Sequence, residues 1–527
     1  MGVGAPGAER PAAPHALPPG LRPTVAFGLQ DPHAPAAPDD APEGYLYDHF
    51  VASDLDADGV RDFVDLAHGN AGDFAQASRG ADGQPLWTTS VADVASTSDR
   101  RASLLSELPD VDGDGMADVL VSRVAYEADA LLGRVYPWYW VIPAHHAVLS
   151  GRTGATLWTL DEANAPGHVP LGSPVAGFAD ANADGRPDVV TLQFSALANQ
   201  GEMVERVVVR EGASGVPLRE ETHVLALDEG ERVTSIADVS GDGQPDLVML
   251  AAGALLVAKD GPTGRTLWTR ALSPVDGGFG FDARADVDGD GDADVIYQTA
   301  APDGSFVYQI RALDGRTGRD LWTSVPLVGY QWPLFIPSPS GASRFLVIQF
   351  DQFGDYWGEA ALEGATGALL GQRRDAYPEA VFDLTGDGEP DVIAWTQQGR
   401  EVEDLAGGLV GVRSLPDEGG FCGDGSDLDG DGFPDAVWLT LQGDWWLGEP
   451  VALRVTLLSG RDLSTPWTRA YADYVFGECP APVGANLATV LVTNPEPGTY
   501  RYALVALDAK TGATAFERPL AVYHPST

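Results

Sequence analysis

The chain has 527 residues, a formal net charge of −45 and a pI near 4.2. That excludes a nucleic-acid binder, which needs a basic patch for phosphates. With 44% hydrophobic residues, 63 glycines and 39 prolines, the composition is globular but rich in turns, and no apolar run reaches the length of a membrane span.

Residues 1–42 are dense in Pro and Ala, as in Pro11-Ala-Ala-Pro14 and Pro35-Ala-Ala-Pro38, and read as a disordered leader. Thr24-Val-Ala-Phe-Gly-Leu29 is short enough for one edge strand. The opening Met1-Gly-Val-Gly-Ala-Pro lacks the charged start and apolar core of a signal peptide.

From about Glu43 a repeat takes over and runs to the end, so residues 43–527 read as one repeat domain. Its first mark is an acidic loop with oxygen side chains at places one, three, five and nine and glycine at six. In chain order the sets are Asp54, Asp56, Asp58, Asp62; Asp110, Asp112, Asp114, Asp118; and Asp180, Asn182, Asp184, Asp188. Then come Asp238, Ser240, Asp242, Asp246; Asp286, Asp288, Asp290, Asp294; Asp383, Thr385, Asp387, Asp391; and Asp427, Asp429, Asp431, Asp435. Every replacement at place three keeps a side-chain oxygen. Hard cations such as calcium take six to eight oxygens, and this spacing presents several from one tight turn. The glycine at place six permits the bend.

Each loop follows a short apolar piece, as in Val175-Ala-Gly-Phe178. It leads into a β-rich run such as Val189-Val-Thr-Leu192 or Val392-Ile-Ala-Trp395. A second motif closes the unit, G-x-x-G-x-x-L-W, at Gly80/Gly83/Leu86/Trp87, Gly151/Gly154/Leu157/Trp158, Gly261/Gly264/Leu267/Trp268 and Gly315/Gly318/Leu321/Trp322. Weaker copies include Gly212/Gly215/Leu218, Gly364/Gly367/Leu370, Gly408/Gly411, Gly460/Trp467 and Gly512/Phe516. Paired glycines supply the positive φ of a tight hairpin, and the Leu-Trp pair is core.

The predicted unit is therefore strand, metal loop, strand, connection, strand, glycine hairpin, strand. Four strands in roughly fifty residues make one propeller blade. Helices are excluded, because no long 3.6-residue apolar period separates the loops and an EF-hand needs a helix on each side. Nine closing hairpins stand against seven metal loops. The loop is lost where Pro337-Ser-Pro-Ser-Gly341 precedes Phe345, and again where Cys479-Pro-Ala-Pro precedes Thr489. The expected fold is all-β, a propeller of four-stranded blades with eight or nine blades. Cys422 and Cys479, the two cysteines, are either bridged or buried thiols.

The loops and their β context resemble the FG-GAP, or VCBS-type, repeats of integrin α-chain propellers, and Phe279-Gly280 keeps the Phe-Gly pair. The resemblance spans about residues 43–523. It implies Ca²⁺ at about seven sites, held by the four side chains of each loop and a main-chain carbonyl at place seven. The closing motif, as in Ala506-Leu-Asp-Ala-Lys-Thr-Gly512, is similar to that of quinoprotein-type propellers. Such folds host adhesion proteins and polysaccharide-active enzymes, so the fold does not select a function.

Connections in a propeller alternate between two faces, and the face away from the metal loops receives the aromatic-rich connections. These hold Trp138, Tyr139 and Trp140; Phe350 to Trp357; and Trp445 and Trp446, with Tyr330 and Trp332 in an inter-blade connection. Aromatic rings beside acids and amides suit sugar stacking or a protein partner. Three readings follow. The first is a secreted or cell-surface, calcium-stabilised, non-enzymatic binding or adhesion module with a glycan or protein ligand. The second is a polysaccharide lyase on the same scaffold, with Arg134 or a tyrosine as base, since both lysines, Lys259 and Lys510, sit by the closing hairpins. The third, a quinoprotein dehydrogenase, lacks the adjacent cysteines expected of that class. The adjacent His145 and His146 point opposite ways on a strand, which argues against a histidine cluster.

Overall fold

The computed structural model describes residues 44–523, except connecting stretches of which the longest is 126–143. The predicted leader lies outside the described residues. Among them every regular element is a strand. Among the described residues no helix is long and apolar enough to cross a membrane.

The strands form nine small antiparallel sheets, each with four strands hydrogen-bonded in chain order. They span residues 44–90, 101–162, 168–226, 234–271, 281–328, 330–374, 376–414, 420–471 and 474–523. Three sheets carry an extra short strand: His168–Pro170 on sheet three, Leu327–Val328 on sheet five and Ala481–Val483 on sheet nine. The alternation of the side chains explains why each sheet is buried on both faces. In the second strand of sheet one, Phe63 packs against sheet nine while Val64 and Leu66 pack against sheet two.

The same division repeats around the molecule. Shared apolar clusters join sheets one and two, two and three, three and four, four and five, five and six, six and seven, and eight and nine. The first strands of sheets seven and eight are in contact. The ring closes on itself, because Val483, Val490, Val492, Leu504 and Leu520 of sheet nine bury Phe63 of sheet one. Arg518 of sheet nine donates to Ser78 Oγ and to the Gly83 carbonyl (2.9 Å) of sheet one.

Two expectations change. Tyr330 and Trp332 stand in the first strand of sheet six, Tyr330–Ile336, rather than in an inter-blade connection. The run Tyr330-Gln-Trp-Pro-Leu-Phe-Ile336 pairs residue by residue with Arg344–Phe350, while Leu327–Val328 just before it pairs with sheet five. In the closing motif, the two glycines have different duties. The second has the positive φ expected, 69° at Gly154. The first is required by crowding: a Cβ on Gly151 would lie 1.8 Å from the Ala117 carbonyl oxygen.

Cys422 is buried and disulfide-bonded. The other cysteine of the chain, Cys479, lies outside the described residues.

Candidate metal centres and the opposite face

All seven acidic loops join the first and second strands of their sheets, as the sequence predicts. Each of the six loops described throughout wraps around its first aspartate. In the loop of sheet one, the Asp58 N–H donates to Asp54 Oδ1 (3.1 Å) and the Gly59 N–H to Asp54 Oδ2 (2.7 Å). The Val60 N–H donates to Asp58 Oδ1 (2.8 Å). The loops starting at Asp110, Asp180 and Asp427 repeat these bonds.

The curl needs two left-handed residues. Glycine at place six is one, with φ between 84° and 97° in the six loops described throughout. Place four is the other, and sequence reasoning missed it. It is Gly113, Gly241, Gly289 or Gly430, and in two loops the non-glycine residues Ala57 (φ 63°) and Ala183 (φ 60°). The signal was present, since place four is always the smallest of residues, Gly or Ala.

Carboxylates converge as a result. Asp54, Asp56 and Asp58; Asp110, Asp112 and Asp118; Asp286, Asp288 and Asp290; and Asp427, Asp429 and Asp435 each bring ligand oxygens within 4.8 Å of one another. These groups could hold a metal ion. An all-oxygen donor set of this kind fits a hard divalent cation rather than a soft one. In sheet one the Arg79 Nε lies 2.7 Å from Asp56 Oδ2, so an ion there would compete with a guanidinium. The loops starting at Asp180 and Asp238 hold Asn182 and Ser240 at place three. Thr385 and Asp387 lie outside the described residues, between Asp383 and the buried Asp391.

The ninth-place aspartates differ from the rest: Asp62, Asp118, Asp188, Asp246, Asp294, Asp391 and Asp435 are all buried. Each carboxylate described with its bonds holds two parts of its sheet together. Asp118 Oδ2 accepts from the Val111 N–H of its own loop (2.8 Å), and Oδ1 accepts from the Gly151 N–H of the closing hairpin (2.9 Å). Asp62, Asp188, Asp246, Asp294 and Asp435 do the same toward Gly80, Gly212, Gly261, Gly315 and Gly460. Burial pushes Asp62 and Asp118 up to about 6 and Asp294 up to about 7, with neighbouring loop aspartates adding to the rise. A cation beside them would offset that cost.

Successive connections of an antiparallel sheet alternate ends, so the loops and closing hairpins share one face and the remaining connections lie on the other. Of the aromatic residues expected there, Trp138, Tyr139, Trp140, Trp445 and Trp446 lie outside the described residues. Trp357 belongs by its backbone to the third strand of sheet six, Tyr356–Glu363. Sequence reasoning missed Trp395, which is 46% exposed at the end of the strand Asp391–Thr396, next to the connection at 397–398. Its neighbours Ala394 and Thr396 are buried. Position near the strand end was its only signal, and it was read as part of an apolar run.

His146 is buried, with Nδ1 2.8 Å from Ser122 Oγ, and burial pushes it down to about 4. His145 is buried as well, and His168 begins the short added strand of sheet three. Both rings of the pair are therefore buried rather than on an open face.

No protein-family model and no curated protein matches this chain. Among solved structures it is similar to the rhamnogalacturonan lyase YesW, with 15% identity and a TM-score of 0.46 over 96% of this chain and 90% of that one. A Bacillus licheniformis rhamnogalacturonan lyase, PL11, gives 17% and 0.42 over 78% and 73%. BamB from Moraxella catarrhalis gives 14% and 0.33 over 83% and 94%. Likenesses this distant assign no activity.

Proposed function

We propose that the chain is a calcium-stabilised β-propeller of nine blades, exported or displayed at a cell surface, that binds a glycan or protein on the face away from its metal loops. The observation that carries this reading is the separation of the two faces. The carboxylate loops are spent at one end of every sheet that has them. The exposed Trp395 stands at the other, where the aromatic-rich connections begin and end.

The ions are structural in this reading. Loops of this type outside cells bind at about 10⁻⁴ to 10⁻³ M. Calcium about tenfold above that contributes roughly 1.4 kcal/mol per site by mass action. Sites this weak fill outside cells and stay empty at cytosolic calcium levels, hence the proposed location. An aromatic ring with amides and acids around it suits stacking on a sugar or a partner's hot spot.

The test is a glycan and matrix-protein array, run with calcium and with chelator, on the wild type and on Trp395→Ala, Trp138→Ala and Trp445→Ala. Binding that needs calcium and drops in these variants is the expected result. Binding untouched by all three substitutions would put the ligand elsewhere. Cleavage of an acidic polysaccharide is the alternative, and incubation with such polymers decides it. Unsaturated, ultraviolet-absorbing products would replace the binding module with a lyase.

A further inference from the structure

The closing motif does more than turn a hairpin. The Trp87 indole of sheet one lies against Gly154 of sheet two, and its Nε1 donates to the Gly151 carbonyl (2.6 Å). Trp158 donates to Gly212 of sheet three (2.7 Å), Trp268 to Gly315 of sheet five (2.6 Å) and Trp467 to Ala509 of sheet nine (2.8 Å). At the corresponding place in sheet three, Arg219 takes over and donates to Gly261 of sheet four (3.0 Å). The accepting carbonyl always belongs to a residue whose N–H is itself held. Four of the five holders are ninth-place aspartates: Asp118, Asp188, Asp246 and Asp294.

The two sheets without a metal loop show what the holder contributes. In sheet nine, the Ala509 N–H is held instead by the Ala485 carbonyl (3.0 Å), from the turn that replaces the loop, and Trp467 still docks. In sheet six, Arg344 starts the second strand where Asp118, Asp188 and Asp294 start theirs. Arginine has no acceptor for a hairpin N–H. The tryptophan facing that hairpin, Trp322, packs on Gly367, yet its buried Nε1 has no hydrogen-bond partner.

We infer that Asp118, Asp188 and Asp294 are positioning residues, each coupling cation occupancy of its own loop to the docking of the preceding sheet's tryptophan. The path runs from loop to carboxylate, from carboxylate to the glycine N–H, and across that residue to the carbonyl that receives the indole. Filling the loop fixes the carboxylate, and so fixes the inter-sheet contact as well as the turn. Calcium would thereby fasten neighbouring blades together, although each loop lies within its own blade. This inference rests on the calcium reading above.

The test uses the full chain labelled with 5-fluorotryptophan, with the five resonances assigned by Trp87→Phe, Trp158→Phe, Trp268→Phe, Trp322→Phe and Trp467→Phe. Adding calcium to chelated protein is expected to shift the Trp87, Trp158 and Trp268 resonances, whose receiving sheets have loops. Trp322 and Trp467, whose receiving sheets have none, are expected to stay in place. Asp118→Ala should abolish the shift at Trp87 and leave those at Trp158 and Trp268. If that variant does not fold, Asp110→Asn, which leaves the Asp118 carboxylate in place, should do the same. Calcium uptake by calorimetry without these shifts, or equal movement of all five resonances, overturns the coupling. Absence of uptake overturns the calcium reading and the coupling with it.

Discussion

Replacing Trp158 and Trp322 by phenylalanine, one at a time, separates the hydrogen-bonded dock from mere packing. Both indoles are buried to the same extent, 8% exposed. Shrinking either ring sacrifices roughly 1–2 kcal/mol of apolar contact, allowing for the space left behind. Trp158→Phe also strands the buried Gly212 carbonyl, which now accepts at 2.7 Å. That adds about 1–3 kcal/mol. Trp322→Phe strands nothing and removes a buried N–H that has no partner, a group that itself costs about 1–3 kcal/mol. Trp158→Phe should therefore lose roughly 2–5 kcal/mol and Trp322→Phe close to nothing. Urea unfolding at fixed calcium, compared at equal m-values, measures both. Losses agreeing within about 0.5 kcal/mol, the usual scatter between independent sites, would refute the reasoning.

Three further outcomes are expected. Chelation should lower the melting temperature steeply, since each filled loop contributes roughly 1.4 kcal/mol; an unchanged melt in excess EDTA would remove calcium from the account. Glu359 is fully buried with neither carboxylate oxygen partnered, and burial pushes it up to about 8 against the pull of Arg373. Its raised value means that stability present below about pH 4.5 is lost as pH rises toward 8, by roughly 1.4 kcal/mol per pH unit. Glu359→Gln should match the wild type at pH 4 and outlast it increasingly up to pH 8; parallel stability curves would contradict this. Arg518→Met removes the donors that reach Ser78 and Gly83 across the closing seam. Hydrogen exchange should then quicken in Gly44–Val51 and Thr514–Tyr523 ahead of the other strands; uniform exchange would place ring closure elsewhere.

The sequence by itself determined the repeat: β-rich apolar runs, acidic loops between first and second strands, glycine hairpins between third and fourth. Those features are local, because backbone sterics and carboxylate spacing act within about ten residues, so Asp54 to Asp62 could be read without knowing what surrounds them. Even the absence of a loop in the sixth and ninth units was legible. Tertiary structure alone decided what the motifs face. The sequence could mark Gly151 as glycine but not show that the Ala117 carbonyl excludes a Cβ there. It could mark Trp87 as buried but not that its N–H belongs to the next sheet, 64 residues on. It placed Tyr330 in a connection because a strand is defined by the partner it pairs with, and that partner, Phe350, lies twenty residues away. Contacts between sheets depend on where the ring brings each face, and no window of the chain contains that information.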